Sequence, residues 1–199
     1  MSQKLHSPHL GAPVPAALSE STVFNTAGEP IPLQEFWRKQ AALLVFLRHF
    51  GCVGCDRQVS ELSPHLAQLR DWGVKTVFIG NGQVHFVEGF IERHQLSDKE
   101  VQVVTDPSLA AFLAAGLQRS WAATFGPKAL VGAVGSFAKG YRQTSIQGDT
   151  SQQGGILIVD SSGCLQFHYV NRHLTDTADP ADVLEAAKRT MLMHASPTP

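Results

Sequence analysis

The chain has too few cysteines and too little net charge for several common classes of protein. Three cysteines in 199 residues are not the dense disulfide framework of a small secreted domain. Lysine and arginine together number 16 and aspartate and glutamate 17, which gives a formal net charge of −1. That balance makes nucleic acid and anionic membranes unexpected partners. Because the cysteine count is odd and two of them lie close together, we expect a reducing, cytoplasmic setting.

Long apolar runs are also absent. The longest, Ala41 to Leu47, has the length of a strand and falls far short of the ~20 residues of a membrane helix. The segment 1 to 18 has no continuous apolar stretch of the kind that a secretory signal requires, and its prolines would interrupt one. We therefore expect a soluble protein without a membrane span that is not exported.

The pattern of apolar residues predicts one α/β domain over residues 21 to 194. Residues 1 to 20, with several prolines among small residues, are predicted to form a flexible arm, residues 118 to 154 a glycine-rich insertion, and residues 195 to 199 a loose tail. Strands and helices alternate, which predicts a three-layer sandwich. The predicted strands are Thr22 to Phe24, Ala41 to Leu47, Val74 to Ile79, Val101 to Val104, Gly155 to Asp160 and Cys164 to Val170. The predicted helices begin at Cys52, Val84, Ser108 and Pro180. The first has Val59, Leu62, Leu66 and Leu69 on its buried face, and Pro64 is predicted either to kink it or to begin a second helix.

Cys52 and Cys55 are the residues with the clearest chemistry. Two residues separate them, and the pair lies between a buried strand and an amphipathic helix. A helix N-terminus stabilises a thiolate through its free N–H groups, and a pair with this spacing is able to exist as dithiol or disulfide. Arg48 adds positive charge nearby, whereas Asp56 works against it. The pattern favours a redox pair over a zinc site or two inert buried cysteines.

The remaining candidate residues have weaker signals. Cys164 and His168 are the only other pair with a metal-ligand spacing, but four residues along a strand place them too far apart for one ion. We therefore expect neither a metal nor a cofactor. Cys164 is predicted to be a small apolar filler, with a role as resolving thiol as the alternative. His49 is expected to be packed and hydrogen-bonded, with modulation of the cysteine pKa values as the alternative.

Several motifs resemble the peroxiredoxin-like branch of the alkyl hydroperoxide reductase/thiol-specific antioxidant (AhpC/TSA) family. The resemblance spans roughly residues 21 to 190. The matching segments are Arg48-His49-Phe50-Gly51-Cys52, Val101 to Pro107, Gly148-Asp149, Gln153-Gly154-Gly155, Arg172-His173 and Asp176.

This resemblance implies a thioredoxin-like three-layer sandwich, with a central mixed sheet and helices on both faces. It also implies a thiolate that attacks a peroxide O–O bond or the disulfide of another protein, and regeneration by thioredoxin or glutathione. A homodimer is compatible with it. The attacking residue stays open, because an alignment with peroxiredoxins makes Cys55 peroxidatic and puts Cys52 at their threonine position, whereas in thioredoxin-like oxidoreductases the first cysteine attacks.

One position departs from both groups of relatives. Gly154 stands where typical peroxiredoxins carry an arginine and thioredoxins a cis-proline, and Arg48 and Arg172 are the candidates to replace that charge. The predicted catalytic residues are thus Cys52, Cys55 and Arg48. The predicted substrate-binding residues are Phe50, Gly51, Gln153, Gly154 and Arg172.

Three functions follow from this reasoning. The first is reduction of hydroperoxides or endoperoxides through Cys52 and Cys55. The second is thiol-disulfide exchange with protein disulfides. The third is a non-catalytic interaction module that binds a partner through the insertion at 118 to 154.

Overall fold

A seven-stranded mixed sheet forms the centre of the protein. The computed structural model describes residues 9–119, 148–173 and 176–195. Its strands are β1 Thr22–Phe24, β2 Pro30–Pro32, β3 Ala41–Phe46, β4 Val74–Gly80, β5 Gln102–Thr105, β6 Gly155–Val159 and β7 Leu165–Val170. Their order across the sheet is β2-β1-β5-β4-β3-β6-β7. Strands β3, β4 and β5 are parallel, whereas the hairpin β6–β7 and the edge pair β1–β2 run antiparallel to their neighbours.

Helices cover both faces of this sheet. They are α1 Ala16–Ser19, α2 Val53–Leu62, α3 Leu66–Asp71, α4 Val87–Arg93, α5 Ala110–Ala114 and α6 Pro180–Ala195, with 3-10 turns at Leu33–Phe36, Ser63–His65 and Val84–Phe86. Side chains of β3 alternate between two apolar clusters, with Leu43 and Val45 on one face and Leu44 and Phe46 on the other. The predicted three-layer sandwich with a mixed central sheet is confirmed. None of the described helices has the length and apolar character needed to cross a membrane.

Two of the predicted helices have ends that local structure sets. At Pro64 the structure shows the second of the two expected outcomes, since α2 ends at Leu62 and a 3-10 turn containing this proline leads into a separate helix, α3. Helix α5 begins only after Leu109, which has a left-handed φ of 64°. The Asp106 side chain accepts hydrogen bonds from Ser108 N (3.1 Å) and Ala111 N (2.8 Å), which fixes this late start.

The N-terminal segment differs from the predicted arm from Leu10 onwards. Gly11 N donates to Leu165 O (2.7 Å) and Leu165 N to Ala12 O (2.9 Å), so this stretch pairs with the start of β7. Leu18 is fully buried. Proline-rich extended backbone is compatible with pairing at a sheet edge, which is why the composition misled the prediction. Residues 1–8 of the arm, 120–147 of the insertion and 196–199 of the tail lie outside the described residues.

Candidate active site

The two close cysteines occupy the junction between β3 and α2. Cys52 is the N-cap residue of α2, with extended backbone angles (φ −83°, ψ 131°), and its carbonyl accepts the first helical hydrogen bond from Asp56 N (2.9 Å). Cys55 lies in the first turn of the helix. Both are free thiols, and the exposed fractions are only 2% for Cys52 and 3% for Cys55. The pair therefore lies at a helix N-terminus, covered from bulk water.

The two thiols have opposite pKa shifts. A hydrogen bond from the Cys55 side chain lowers the pKa of Cys52 to about 6, and the charge of Arg48 acts in the same direction against the effect of burial. Burial raises the pKa of Cys55, and so do its hydrogen bond to Cys52 and the negative charge there. At neutral pH the arrangement is thus a Cys52 thiolate that accepts a hydrogen bond from the Cys55 thiol.

Arg48 connects this pair to the segment that precedes β6. Its backbone N–H donates to Cys55 Sγ (3.1 Å). Its guanidinium donates from Nη1 to Gln153 Oε1 (3.3 Å) and from Nη2 to the Thr150 carbonyl (2.6 Å). The exposed fraction of Arg48 is 1%, so its charge acts in a poorly hydrated place where it is weakly screened.

The backbone of β3 requires a glycine at position 154. A Cβ atom at position 154 would lie 2.5 Å from the Phe46 carbonyl oxygen, 3.3 Å from Asn171 Nδ2 and 3.6 Å from Arg48 Cγ. The first distance is too short for any real Cβ contact. A side chain at this position is therefore excluded by the backbone of β3, whereas the distance to Arg48 Cγ is that of an ordinary contact.

Arg172, the other candidate to replace the arginine that is absent at position 154, lies away from the cysteines. The Arg172 side chain is 81% exposed and pairs with Asp176, with Nε 3.2 Å from Oδ2. Asp176 also accepts a hydrogen bond from Tyr169 Oη (2.7 Å). Among the described contacts, the structure brings Arg48, Gln153, Gly154 and the cysteines together and leaves Arg172 outside this group.

Asn81 holds the segment that carries Gln153, and the sequence analysis missed it. Its carboxamide makes two hydrogen bonds with the backbone of Asp149: Nδ2 donates to the carbonyl (3.1 Å) and Oδ1 accepts from N–H (3.1 Å). The Asp149 carboxylate in turn accepts from Ser151 N (2.8 Å). Asn81 directly follows β4, and a polar residue at the carboxyl end of a parallel strand is the signal that would have pointed to it.

His49 has a structural role here. Burial, with the neighbouring positive charge of Arg48, lowers the pKa of His49 to about 4, so the ring is neutral at physiological pH. Gly51 N donates to His49 Nδ1 (3.3 Å), and Cys52 N donates to the His49 carbonyl (3.2 Å). The histidine therefore fixes the turn that leads to the first cysteine, which agrees with the packed role expected for it.

Phe50 is anchored in the core. It is 2% exposed, its ring lies against Gly80, and its ring centroid is 5.1 Å from that of Phe90. Its carbonyl accepts a hydrogen bond from Arg93 Nη2 (2.9 Å). The structure thus places Phe50 in the support of the cysteine turn, and the neighbouring Gly51 is buried in the turn itself.

The end of α4 also contacts the first turn of α2. His94 Nε2 lies 3.2 Å from Asp56 Oδ1, and the His94 ring packs on Phe90 with centroids 4.6 Å apart. The Asp56 carboxylate, which was expected to disfavour a thiolate at the cysteines, therefore has His94 as a partner. Neither Arg93 nor His94 was singled out from the sequence, because contacts between helices that are distant in the chain leave no local pattern.

A metal centre has no support in the described part of the chain. No group of three or more His, Cys, Asp or Glu side chains within it is placed to hold an ion. Cys164 is half-buried and forms a β-bridge with Pro13, while His168 Nε2 lies 3.0 Å from the Ala115 carbonyl.

Known proteins share both the sequence and the fold. The family model described as AhpC/TSA antioxidant enzyme matches residues 61–173. Thioredoxin-like protein AAED1, chloroplastic, of Arabidopsis thaliana is 31% identical over 172 residues, which cover 82% of this chain and 68% of that one. Human Peroxiredoxin-like 2C is 27% identical, with 89% and 82% covered, and the Prostamide/prostaglandin F synthase of Danio rerio is 29% identical, with 81% of each covered.

Solved structures agree on the architecture. Peroxidoxin BcpB from Mycobacterium tuberculosis superposes with a TM-score of 0.65 at 13% identity, covering 96% of this chain and all of that one (100%). Peroxiredoxin 5 from Alvinella pompejana gives a TM-score of 0.63 at 11% identity, covering 92% and 99%. At such identities the likeness concerns the thioredoxin-like fold alone. The sequence matches place the chain in the peroxiredoxin-like branch of the AhpC/TSA family.

Proposed function

We propose that this protein reduces peroxides through a Cys52–Cys55 pair that cycles between dithiol and disulfide. The observation that carries the proposal is the buried pair at the N-terminus of α2, in which Cys55 donates a hydrogen bond to Cys52 and the Arg48 charge lies alongside. Membership of a family described as antioxidant enzymes supports a thiol peroxidase-like function.

The proposed chemistry begins at Cys52. Its thiolate attacks one oxygen of the peroxide, an S–O bond forms, the O–O bond breaks, and the displaced oxygen leaves with the electron pair and takes up a proton. With a hydroperoxide the product on Cys52 is a sulfenic acid. Cys55 then attacks that sulfur, water leaves, and the Cys52–Cys55 disulfide closes. Two external thiols, those of one thioredoxin or of two glutathione molecules, then reduce this disulfide to the dithiol and are themselves oxidised to a disulfide.

Burial favours a small substrate over a protein disulfide. Exchange with another protein requires its sulfur atoms to come into line with the attacking thiolate. Cys52 and Cys55 are 2% and 3% exposed, which suits a small peroxide better than a folded partner. Peroxide reduction is therefore our first proposal, and exchange with protein disulfides is the second. The first includes a cytoplasmic location, where thiol reductants are available.

Serine variants test the proposal. Stopped-flow mixing of the reduced protein with hydroperoxides is expected to give rates well above that of free cysteine. In Cys55→Ser, a sulfenic acid should accumulate on Cys52 and react with dimedone, detected by mass spectrometry, whereas Cys52→Ser should lose the fast reaction. Cys164→Ser is the matched control and should behave like the wild type.

Each contrary result has a distinct meaning. Wild-type rates no faster than those of free cysteine would refute peroxide reduction. A fast reaction retained in Cys52→Ser, with sulfenic acid on Cys55, would instead assign the attack to the second cysteine. A mixed disulfide trapped in Cys55→Ser with a protein substrate, without fast peroxide reaction, would favour the second proposal.

A further inference from the structure

Asn81 is a buried polar residue at the edge of the sheet that carries the cysteine turn. It directly follows β4 and is 5% exposed. Because β4 is parallel to β3, the carboxyl ends of both strands lie at this edge, where β3 leads towards the cysteines. Asn81 Nδ2 donates to the Asp149 carbonyl and Oδ1 accepts from the Asp149 N–H, both at 3.1 Å. Both polar atoms of the carboxamide therefore hold one residue of the segment before β6.

The residue before Asp149 allows this contact only because it is a glycine. Gly148 has a φ of 145°, which side chains other than that of glycine rarely adopt. A Cβ atom at position 148 would collide with Asn81 Oδ1 and would lie 3.2 Å from the Asn81 carbonyl carbon. Any larger side chain at position 148 would thus displace the carboxamide from Asp149.

The residues after Asp149 hold the guanidinium of Arg48. Arg48 Nη2 donates to the Thr150 carbonyl (2.6 Å), and Nη1 donates to Gln153 Oε1 (3.3 Å). Thr150 directly follows Asp149 in the chain. The contact with Asn81 therefore lies one residue from the shorter of these two hydrogen bonds.

We propose that Asn81 is a positioning residue for the proposed reaction and acts through Arg48. By fixing Asp149 it holds the adjacent Thr150 carbonyl, and this carbonyl holds the Arg48 guanidinium near the cysteines. The inference rests on the proposed function. A long arginine side chain keeps one position only where its partners fix it. In a buried place its charge is weakly screened, so its effect on a nearby thiolate depends on where it is held.

The pKa of Cys52 reports the position of this charge. The hydrogen bond from Cys55 lowers that pKa, and the Arg48 charge lowers it further. Of the other titratable groups in the turn, His49 is neutral because burial lowers its pKa to about 4, and Asp56 is paired with the end of α4. Displacement of the arginine alone should therefore raise the pKa of Cys52.

The variant Asn81→Leu removes both hydrogen bonds to Asp149 at nearly constant volume. We expect the midpoint of Cys52 alkylation by iodoacetamide, followed across pH by peptide mass spectrometry, to rise by roughly half a pH unit. The second-order rate constant with tert-butyl hydroperoxide should then fall by about twofold near pH 6 and stay almost unchanged at about pH 8, because the thiolate fraction changes only near the midpoint. Asn81→Ala gives the same comparison if the leucine variant fails to fold.

The double variant with Arg48→Met tests whether the effect passes through the arginine. In that background Asn81→Leu should leave the midpoint where Arg48→Met alone puts it, because the charge to be positioned is gone. Val23→Ala is the control for a general loss of stability. Val23 is fully buried in β1, in the apolar cluster on the other face of the sheet from the cysteines, and its variant should keep the wild-type midpoint.

Three results would overturn the inference: an unchanged midpoint in the folded Asn81 variants, a shift that adds in full to that of Arg48→Met, or an equal shift in Val23→Ala. The alkylation measurement does not depend on peroxide reduction. A wild type slow with every hydroperoxide, in which the Asn81 variants still shift the midpoint, would refute the proposed function and leave Asn81 as the residue that positions Arg48.

Discussion

Gly154→Ala should destabilise the protein and impair the thiolate together. The added methyl group would lie 2.5 Å from the carbonyl oxygen of Phe46, which belongs to β3 at the centre of the sheet. Strands β4 and β6 pair with β3 on either side. The Phe46 carbonyl therefore cannot move away without lengthening hydrogen bonds between β3 and these strands. Overpacking of this kind costs about 1–3 kcal/mol. For a chain of this size, about 2 kcal/mol corresponds to a fall in Tm of roughly 4–8 °C.

A shift of the Phe46 carbonyl would also move Arg48, two residues further along the chain, whose charge lowers the pKa of Cys52. We therefore expect a raised Cys52 pKa in the variant, seen as a higher midpoint in the pH dependence of iodoacetamide alkylation. Urea unfolding measures the loss of stability.

Gly89→Ala is the matched control. Gly89 is exposed within α4, and a Cβ there meets nothing within 4 Å. Replacing a helical glycine by alanine should stabilise the protein by about 0.5–1 kcal/mol. If Gly154→Ala were as stable as the wild type, or shifted in the same direction as Gly89→Ala, our account of the close approach at β3 would be wrong.

Three further predictions concern the site. Arg48→Met keeps the apolar stem but removes the charge, and should raise the alkylation midpoint of Cys52 by roughly one pH unit; an unchanged midpoint would exclude a direct electrostatic role. Alkylation of the wild type should rise through about pH 6, where Cys52 loses its proton, and Cys55→Ala should move this midpoint upward because the hydrogen bond from Cys55 is lost. Asn81→Leu removes both hydrogen bonds to Asp149 and should cost about 1–3 kcal/mol in urea unfolding, whereas a neutral result would show that the segment before β6 holds its place without them.

The sheet was largely predictable because buried strands form continuous apolar runs. Ala41 to Leu47 and Val74 to Ile79 were located to within one residue, and Asp179 does cap α6 by accepting a hydrogen bond from Ala181 N (2.9 Å). Strand β2, Pro30–Pro32, was missed because proline argues against a strand. It exists since β2 lies at the edge of the sheet, where the missing N–H is not needed.

The site was predictable only where its residues are neighbours in the sequence. Cys52, Cys55 and Arg48 lie within one strand-helix junction, and their grouping follows from local structure. The sequence left Arg48 and Arg172 as candidates for the missing charge. Only the packed chain distinguishes them, because it buries Arg48 beside the cysteines and leaves Arg172 exposed and paired with Asp176.

The end of helix α4 contacts the turn that carries Cys52 and Cys55. Two consecutive residues at the end of this helix reach both sides of the turn, Arg93 to the Phe50 carbonyl and His94 to Asp56. We therefore expect the turn and the end of α4 to open together in local unfolding, because these contacts join them. Exposure of the two sulfur atoms then depends on how firmly a neighbouring helix docks, so sequence changes on α4 should alter access to the cysteines without altering the cysteines themselves.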